Sequence, residues 1–316
     1  MNNELLDTET DHDSFLSKRI WLSITVILAI YALILIFGNL YLGRIFSSDI
    51  LTNHPYIFTI NRFVLSALFL LLIVPFLFRV PQKSIGFFQY LKSLRITKFR
   101  PVILVIGLGF LSGFLIVLFI YLSSLLAVRL GGGELFLNFG VLWDSLNYSS
   151  NLYTKINSGL WEEVVFRGIV LVLLLKRYSK KKSVIISSIL FGLFHLVNLV
   201  NYFFTTVVFR DLLIDTLFQV VYATAIGFFF AYSFIRLESL VTPILTHYIV
   251  NAFGPFVQVF INANRIIVRA TQTILGLGII PAILCILIVY FTINLWQKKF
   301  GKKDSEENNA QVIESA

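Results

Sequence analysis

The residues of this chain that can do chemistry stand where polar groups are costly. Glu162, Glu163 and Arg167 fall in W-E-E-V-V-F-R-G, His195 in L-F-G-L-F-H-L-V-N, and His247 and Asn251 in P-I-L-T-H-Y-I-V-N. All three strings lie within long runs of Leu, Ile, Val and Phe. An ionisable group at the centre of a membrane helix costs roughly 2.5–3.5 kcal/mol by insertion scales, so it usually marks function. A carboxylate and two imidazoles that converge can hold and deprotonate a water. They can do so directly, or through zinc or another divalent metal bound by Glu162, His195 and His247. An amide such as Asn251 can donate to a developing oxyanion. Glu163 and Arg167, four residues apart, share a helix face and suit an ion pair that braces the helix. Glu162 is turned about 100° from Glu163, so the two carboxylates need no common partner. The blander role for a lone membrane histidine is a hydrogen bond to a neighbouring helix. His12 and His54 fall in polar segments and are assigned nothing.

The elements that must position these residues follow from composition. The 316 residues are 57% hydrophobic and 14% charged, against roughly 45–50% and 25% in a soluble domain. Mean hydropathy is +0.84. The excess apolar surface must face lipid, which excludes a soluble enzyme, a secreted disulfide scaffold or a disordered chain. Cys285 is the single cysteine and reads as a small lipid- or core-facing filler. A bilayer core takes about 20 helical residues to cross. Eight segments meet that length: 20–43, 57–79, 101–128, 152–175, 183–208, 212–235, 240–262 and 273–297. The expected fold is therefore all-α, a polytopic bundle of about eight transmembrane helices. Strands are not expected, because the runs are continuous rather than alternating.

Orientation follows from the basic residues. With the N-terminus cytoplasmic, the outer segments hold Arg44, Arg129, Lys155, Arg210, Arg265 and Arg269, while Arg62 and Arg167 lie within spans. The rest of the 26 basic residues collect inside, at 18–19, 79–100, 176–182, 236 and 298–303. This asymmetry accounts for the net charge of +9 without nucleic acid, and the inner loops suit anionic lipid headgroups. Arg62 and Asp215 lie near outer span ends, where a charged head reaches the interface, and read as structural.

Depth ties the candidates together. Glu162 lies 14 residues before Lys176, His195 lies 13 after Lys182, and His247 and Asn251 lie 11 and 15 after Arg236. At about 1.5 Å per residue all four sit roughly 16–23 Å from the inner ends of their helices. Three helices thus present polar groups in one layer.

In this order, E-E-x-x-x-R at 162–167, F-x-x-x-H at 191–195 and H-x-x-x-N at 247–251 resemble the CPBP family. That family comprises type II CAAX prenyl proteases and the bacteriocin-processing or self-immunity enzymes also called Abi proteins. The segment G-F-F-F-A-Y-S-F-I-R-L-E-S-L-V-T-P-I-L-T-H at 227–247 is similar to the stretch ahead of the family's last motif, and the resemblance spans about 155–255. It implies an all-helical intramembrane endopeptidase that cleaves membrane-associated substrates, either a CAAX-type prenylated protein or a bacteriocin-type peptide. By this resemblance Glu162 and His195 activate the attacking water, and His247 and Asn251 stabilise the oxyanion or complete the site. Glu163 and Arg167 fill the supporting positions. The organisation implied is a polar cytoplasmic tail at 1–17, a transmembrane domain at 18–300 with its protease core at about 152–262, and a second polar tail at 301–316. The cell membrane is the expected location. Members are usually named metalloproteases, but H-E-x-x-H is absent here, so metal-dependent and metal-free hydrolysis both stay open. The reading from another class is a non-catalytic membrane protein, an immunity partner for a peptide toxin or a transporter. Pro75, Pro243, Pro255 and Pro281 show no repeat symmetry, which weighs against a transporter.

The topology makes a direct prediction. Cysteines introduced as Ser17→Cys and Ser305→Cys label with an impermeant thiol reagent only from the cytoplasmic side. Labelling of either from outside breaks the topology and the depth argument with it.

Overall fold

The computed structural model describes residues 19–45, 56–74, 102–137, 155–204, 208–254, 257–260 and 264–314. His12, His54 and the 1–17 tail lie outside the described residues. Among the described residues nine helical elements run in chain order. They are α1 (Ile20–Ile45), α2 (Tyr56–Leu68, extended by a π turn at Phe69–Ile73) and α3 (Val102–Gly131). α4 (155–175) has π geometry at Ser158–Glu162 and Val164–Leu171. α5 (Lys180–Phe194) continues as 3₁₀ turns through His195–Phe204, and α6 (Phe209–Leu237) and α7 (Val241–Phe253) follow. α8 (Arg265–Thr271) passes through a π turn at Gln272–Gly276 into α9 (Ile279–Glu314).

Four helices among the described residues are long and apolar enough to cross a membrane: Val102–Gly131, Lys180–Val200, Phe209–Leu237 and Arg265–Lys298. Ile20–Ile36 and Ile60–Ile73 are shorter apolar helices. The protein is an all-α membrane protein. Each of the eight expected segments meets a helix among the described residues. α7 stops at Phe253 and not near 262, because Gly254 and Pro255 follow it and a proline disfavours helix in the residue before it. Beyond it the chain forms a strand that was not expected. β2 (Val257–Phe260) pairs antiparallel with β1 (Glu134–Leu137), Glu134 opposite Phe260 and Leu137 opposite Val257. Gly132 and Gly133, at φ 71° and 98°, make the turn from α3 into β1 in a region that residues with a Cβ avoid. At the other end of the chain α9 runs on to Glu314, through the segment read from sequence as a polar tail.

Lipid-facing and core-facing residues divide cleanly on α3. Ile103, Phe110, Phe114, Leu118, Leu122 and Leu125 are exposed, while Gly109, Ser112, Gly113, Ile116 and Ile120 are buried. The buried stripe seats α7. A Cβ on Gly109 would lie 3.0 Å from Leu245, and one on Gly113 would lie 2.8 Å from Ile249. Thr242 and Thr246 donate across this contact to the carbonyls of Val105 (2.7 Å) and Gly109 (3.1 Å). Small residues bring the backbones close and hydroxyl groups bind them, the usual means of helix association in lipid. Cys285 is fully buried, with its Sγ 3.9 Å from the Ser112 carbonyl, and so faces the core. At the Lys-rich end, Trp21 Nε1 donates to the Tyr178 hydroxyl at 2.9 Å, an amphipathic pair suited to a membrane interface.

α5 and α6 meet through a glycine that tolerates nothing larger. A Cβ on Gly192 would lie 2.6 Å from the Val220 carbonyl and would also strike the Thr224 hydroxyl. Gly192→Ala should therefore destabilise by about 1–3 kcal/mol, the usual cost of overpacking. Gly107, with nothing within 4 Å of its Cβ position, supplies the control. Gly107→Ala should leave the melting temperature unchanged or slightly raised, and equal melting of the two variants would disprove the packing argument.

Candidate active site

Three interlocked contacts place α7 and α5 around α4. Gly159 lets the α4 backbone approach α7, since a Cβ there would lie 3.1 Å from the Tyr248 nitrogen and 3.2 Å from the Ile244 carbonyl. One turn along, Asn251 Nδ2 donates to Ser158 Oγ at 3.0 Å. On α5, Ser187 Oγ donates to the Phe166 carbonyl at 3.3 Å. The helix thus clamped is itself unusual. A π-helix has more residues per turn than an α-helix, so successive side chains are rotated less than 100° apart.

That geometry corrects one expectation. Glu162 and Glu163 do share a partner, and it is His247. The His247 Nδ1 lies 2.9 Å from Glu163 Oε1, and its Nε2 lies 4.0 Å from Glu162 Oε2. The Glu163–Arg167 ion pair is present at 3.1 Å, both side chains fully buried. Arg167 NH2 also donates to the Gly227 carbonyl at 3.2 Å, and its guanidinium lies over the rings of Phe191 (4.2 Å) and Phe230 (5.1 Å). Glu163 is therefore more than a brace. Its Oε1 accepts from Arg167 on one side and from the imidazole on the other, which sets the tautomer of His247. Phe230 stacks on the same imidazole at 5.3 Å.

His195 is fixed by the same logic with a different acceptor. Its Nδ1 lies 2.9 Å from the Phe191 carbonyl, and a carbonyl can only accept, so Nδ1 carries the proton. The Phe191 ring packs edge-on against it at 5.1 Å. In both histidines Nε2 is the nitrogen left for other work.

The residues converge on one cavity of about 690 Å³. Glu162, His195, His247 and Asn251 all line it, with Arg62, Lys155 and Ser158 among their neighbours. Glu163 and Arg167 stand behind its wall. Asp215 takes no part in it and instead pairs with Arg265 (2.9 Å) and Arg269 (2.8 Å), clasping α6 to α8.

Arg62 departs from expectation. It turns to Glu162, a partner the spacing did not suggest, with NH2 3.4 Å from Oε1. Depth was the signal that could have found it. Arg62 lies 17 residues before Arg79, or roughly 25 Å from that inner end, close to the layer of the other candidates.

A metal is a poorer fit than the motif suggested. The two imidazoles have the fixed tautomers a ligand needs. Among the described residues, however, no three His, Cys, Asp or Glu groups lie close enough together to hold one ion, and a guanidinium already occupies one Glu162 oxygen.

Residues 144–253, about a third of the chain, match the family described as Type II CAAX prenyl endopeptidase Rce1-like. All seven motif residues, Phe191 included, fall inside that segment. It supports an intramembrane endopeptidase of the CAAX type. Comparison with curated proteins and with solved structures gave no match.

The buried pair generates a prediction of its own. Arg167→Ala leaves Glu163 buried with a single donor, and removing one partner of a buried ion pair typically costs about 3–5 kcal/mol. Low yield or a lowered melting temperature is expected. An Arg167→Ala protein as stable as the parent would show that the guanidinium does not hold this cluster together.

Proposed function

We propose that the protein hydrolyses peptide bonds of membrane-associated substrates with a water activated by Glu162, a prenylated CAAX-type peptide being the first substrate class to test. The observation that carries this reading is the pairing of Glu162 Oε2 with His247 Nε2, 4.0 Å apart at the cavity wall. A water hydrogen-bonded to both atoms suits that separation. Glu162 takes one of its protons as the oxygen bonds to the scissile carbonyl carbon. His247 holds the water from the far side, its ring fixed through Glu163 and Arg167. The carbonyl oxygen becomes an oxyanion, and Asn251, which spends one amide N–H on Ser158, has the second to donate to it. As the C–N bond breaks, the proton returns from Glu162, directly or by way of His195 Nε2, to the leaving amine. The separation of the two glutamates supports their different roles. Glu163 is wholly buried, while the Glu162 side chain keeps 13% exposure.

Purified protein and a panel of membrane-anchored and free peptides test this reading. Glu162→Gln should abolish cleavage with the melting temperature unchanged, because the amide keeps the shape and removes the base. His195→Ala and His247→Ala should be as inactive. Asn251→Ala should retain measurable cleavage, since losing one oxyanion donor costs about a hundred- to a thousandfold in rate. Glu162→Gln combined with His195→Ala should be scarcely worse than either alone, because members of one catalytic unit are not additive. Direct activation by Glu162 further expects cleavage to persist in protein prepared and assayed with chelator. Substantial cleavage by folded Glu162→Gln would leave the cavity a binding site and not a catalytic one.

A further inference from the structure

We infer that Arg62, on α2 and outside the segment matched to the family, is a positioning residue that sets the Glu162 carboxylate for catalysis. The inference rests on the reading of Glu162 as the base. It comes from how the two carboxylate oxygens are divided. Oε1 faces Arg62 NH2 at 3.4 Å, and Oε2 faces His247 Nε2 at 4.0 Å. A carboxylate on a flexible side chain can rotate freely about its last bond. A guanidinium on one oxygen stops that rotation and leaves the other aimed at the imidazole. Arg does this better than a point charge, because its N–H groups are fixed in a planar fork.

The approach of Arg62 is itself held. The adjacent Phe63 packs edge-on against Trp161 at 5.1 Å, so the residue after Arg62 contacts the residue before Glu162. The two neighbouring pairs, one aromatic and one ionic, lock α2 against α4 at the level of the site. The Arg62 side chain is only 33% exposed, and its Nε is buried with no hydrogen-bond partner among the described residues. A guanidinium anchored for solubility would turn its donors to water. Lys155, on the same cavity wall, forms no ion pair among the described residues and leaves this position to Arg62.

Steady-state cleavage by full-length protein tests the inference with Arg62→Ala, Arg62→Gln and Arg62→Lys, read beside Glu162→Gln and thermal melts. Arg62→Ala should lower kcat roughly ten- to a hundredfold, the scale of losing a partner that orients a reacting group, with KM nearly unchanged. Arg62→Lys should fall between Arg62→Ala and the parent. Millimolar guanidinium ion should restore part of the kcat of Arg62→Ala and none to Glu162→Gln. If Arg62→Ala does not fold, Arg62→Gln, which keeps the bulk of the side chain, should show the same fall in kcat. A parental kcat in either neutral variant overturns the inference, as does a loss confined to KM. An equal loss in Arg62→Lys with no guanidinium rescue overturns it too. Inactive Glu162→Gln beside fully active Arg62→Ala removes the role of Arg62 alone, whereas active Glu162→Gln removes the hydrolytic reading beneath it.

Discussion

A guanidinium buried in the apolar core of the bundle is the constraint from which the rest of this structure follows. Arg167 has no exposed surface, and a charge so placed is tolerated only when fixed acceptors replace the water it has lost. Those acceptors come from separate helices: the Glu163 carboxylate on its own helix, the Gly227 carbonyl on α6, and the faces of Phe191 and Phe230 on α5 and α6. The packing is close enough that a Cβ at Gly227 would lie 3.2 Å from Arg167 NH2. Among the described residues Glu163 Oε2 and Arg167 Nε have no hydrogen-bond partners, so the interaction is concentrated on Oε1. His247 bonds to that same oxygen. The countercharge that makes the arginine tolerable is thus also what orients the imidazole.

Two adjacent glutamates consequently serve different ends. Environment, not residue type, separates them, as it does in other paired-carboxylate sites. Glu163 lies behind the cavity wall, its Oε1 shared by Arg167 and His247. Glu162 lies at the wall, shared between a guanidinium and an imidazole that is too far away for a direct hydrogen bond. The gap on the Glu162 side of the ring gives room for a reactant, and the contact on the Glu163 side gives stiffness. A single helix supplies both because its π turns bring neighbouring side chains toward one face.

The candidate residues were legible because an apolar run makes any ionisable residue conspicuous, and depth counting then placed four of them in one layer. The i, i+4 pairing of Glu163 with Arg167 was equally plain from spacing. Glu162 and Glu163 reaching one imidazole was not, since no residue pattern announces π geometry and an α-helical rotation sets the two apart. The partner of Arg62 was hidden for another reason. A membrane arginine near a span end looks the same whether it reaches the interface or a carboxylate 100 positions away in sequence. In the fold, the early end of α7 was legible in Gly254–Pro255, a stop signal that the apolar run around it obscured. The β1–β2 ribbon was not, because four-residue strands carry too little alternation to register.

Three of the irregular helical stretches among the described residues lie at the cavity. The π turn of α4 contributes Ser158 and Glu162, the 3₁₀ turns after α5 contribute His195 and Asn198, and the π turn before α9 contributes Gln272. Within a bilayer, backbone that departs from α-helix is tolerated where it lies inside the protein or lines a wet cavity, because lipid cannot satisfy the groups it frees. Polar side chains at the same places, Asn198 bonded to Gln219 and Gln272 bonded to Ser124, are what such backbone needs around it. A hydrolase in a membrane needs the same thing, since its second substrate is water. On the proposed hydrolytic role of Glu162, the loosened helices and the polar residues at the cavity answer one requirement: water must reach a carboxylate inside an apolar bundle.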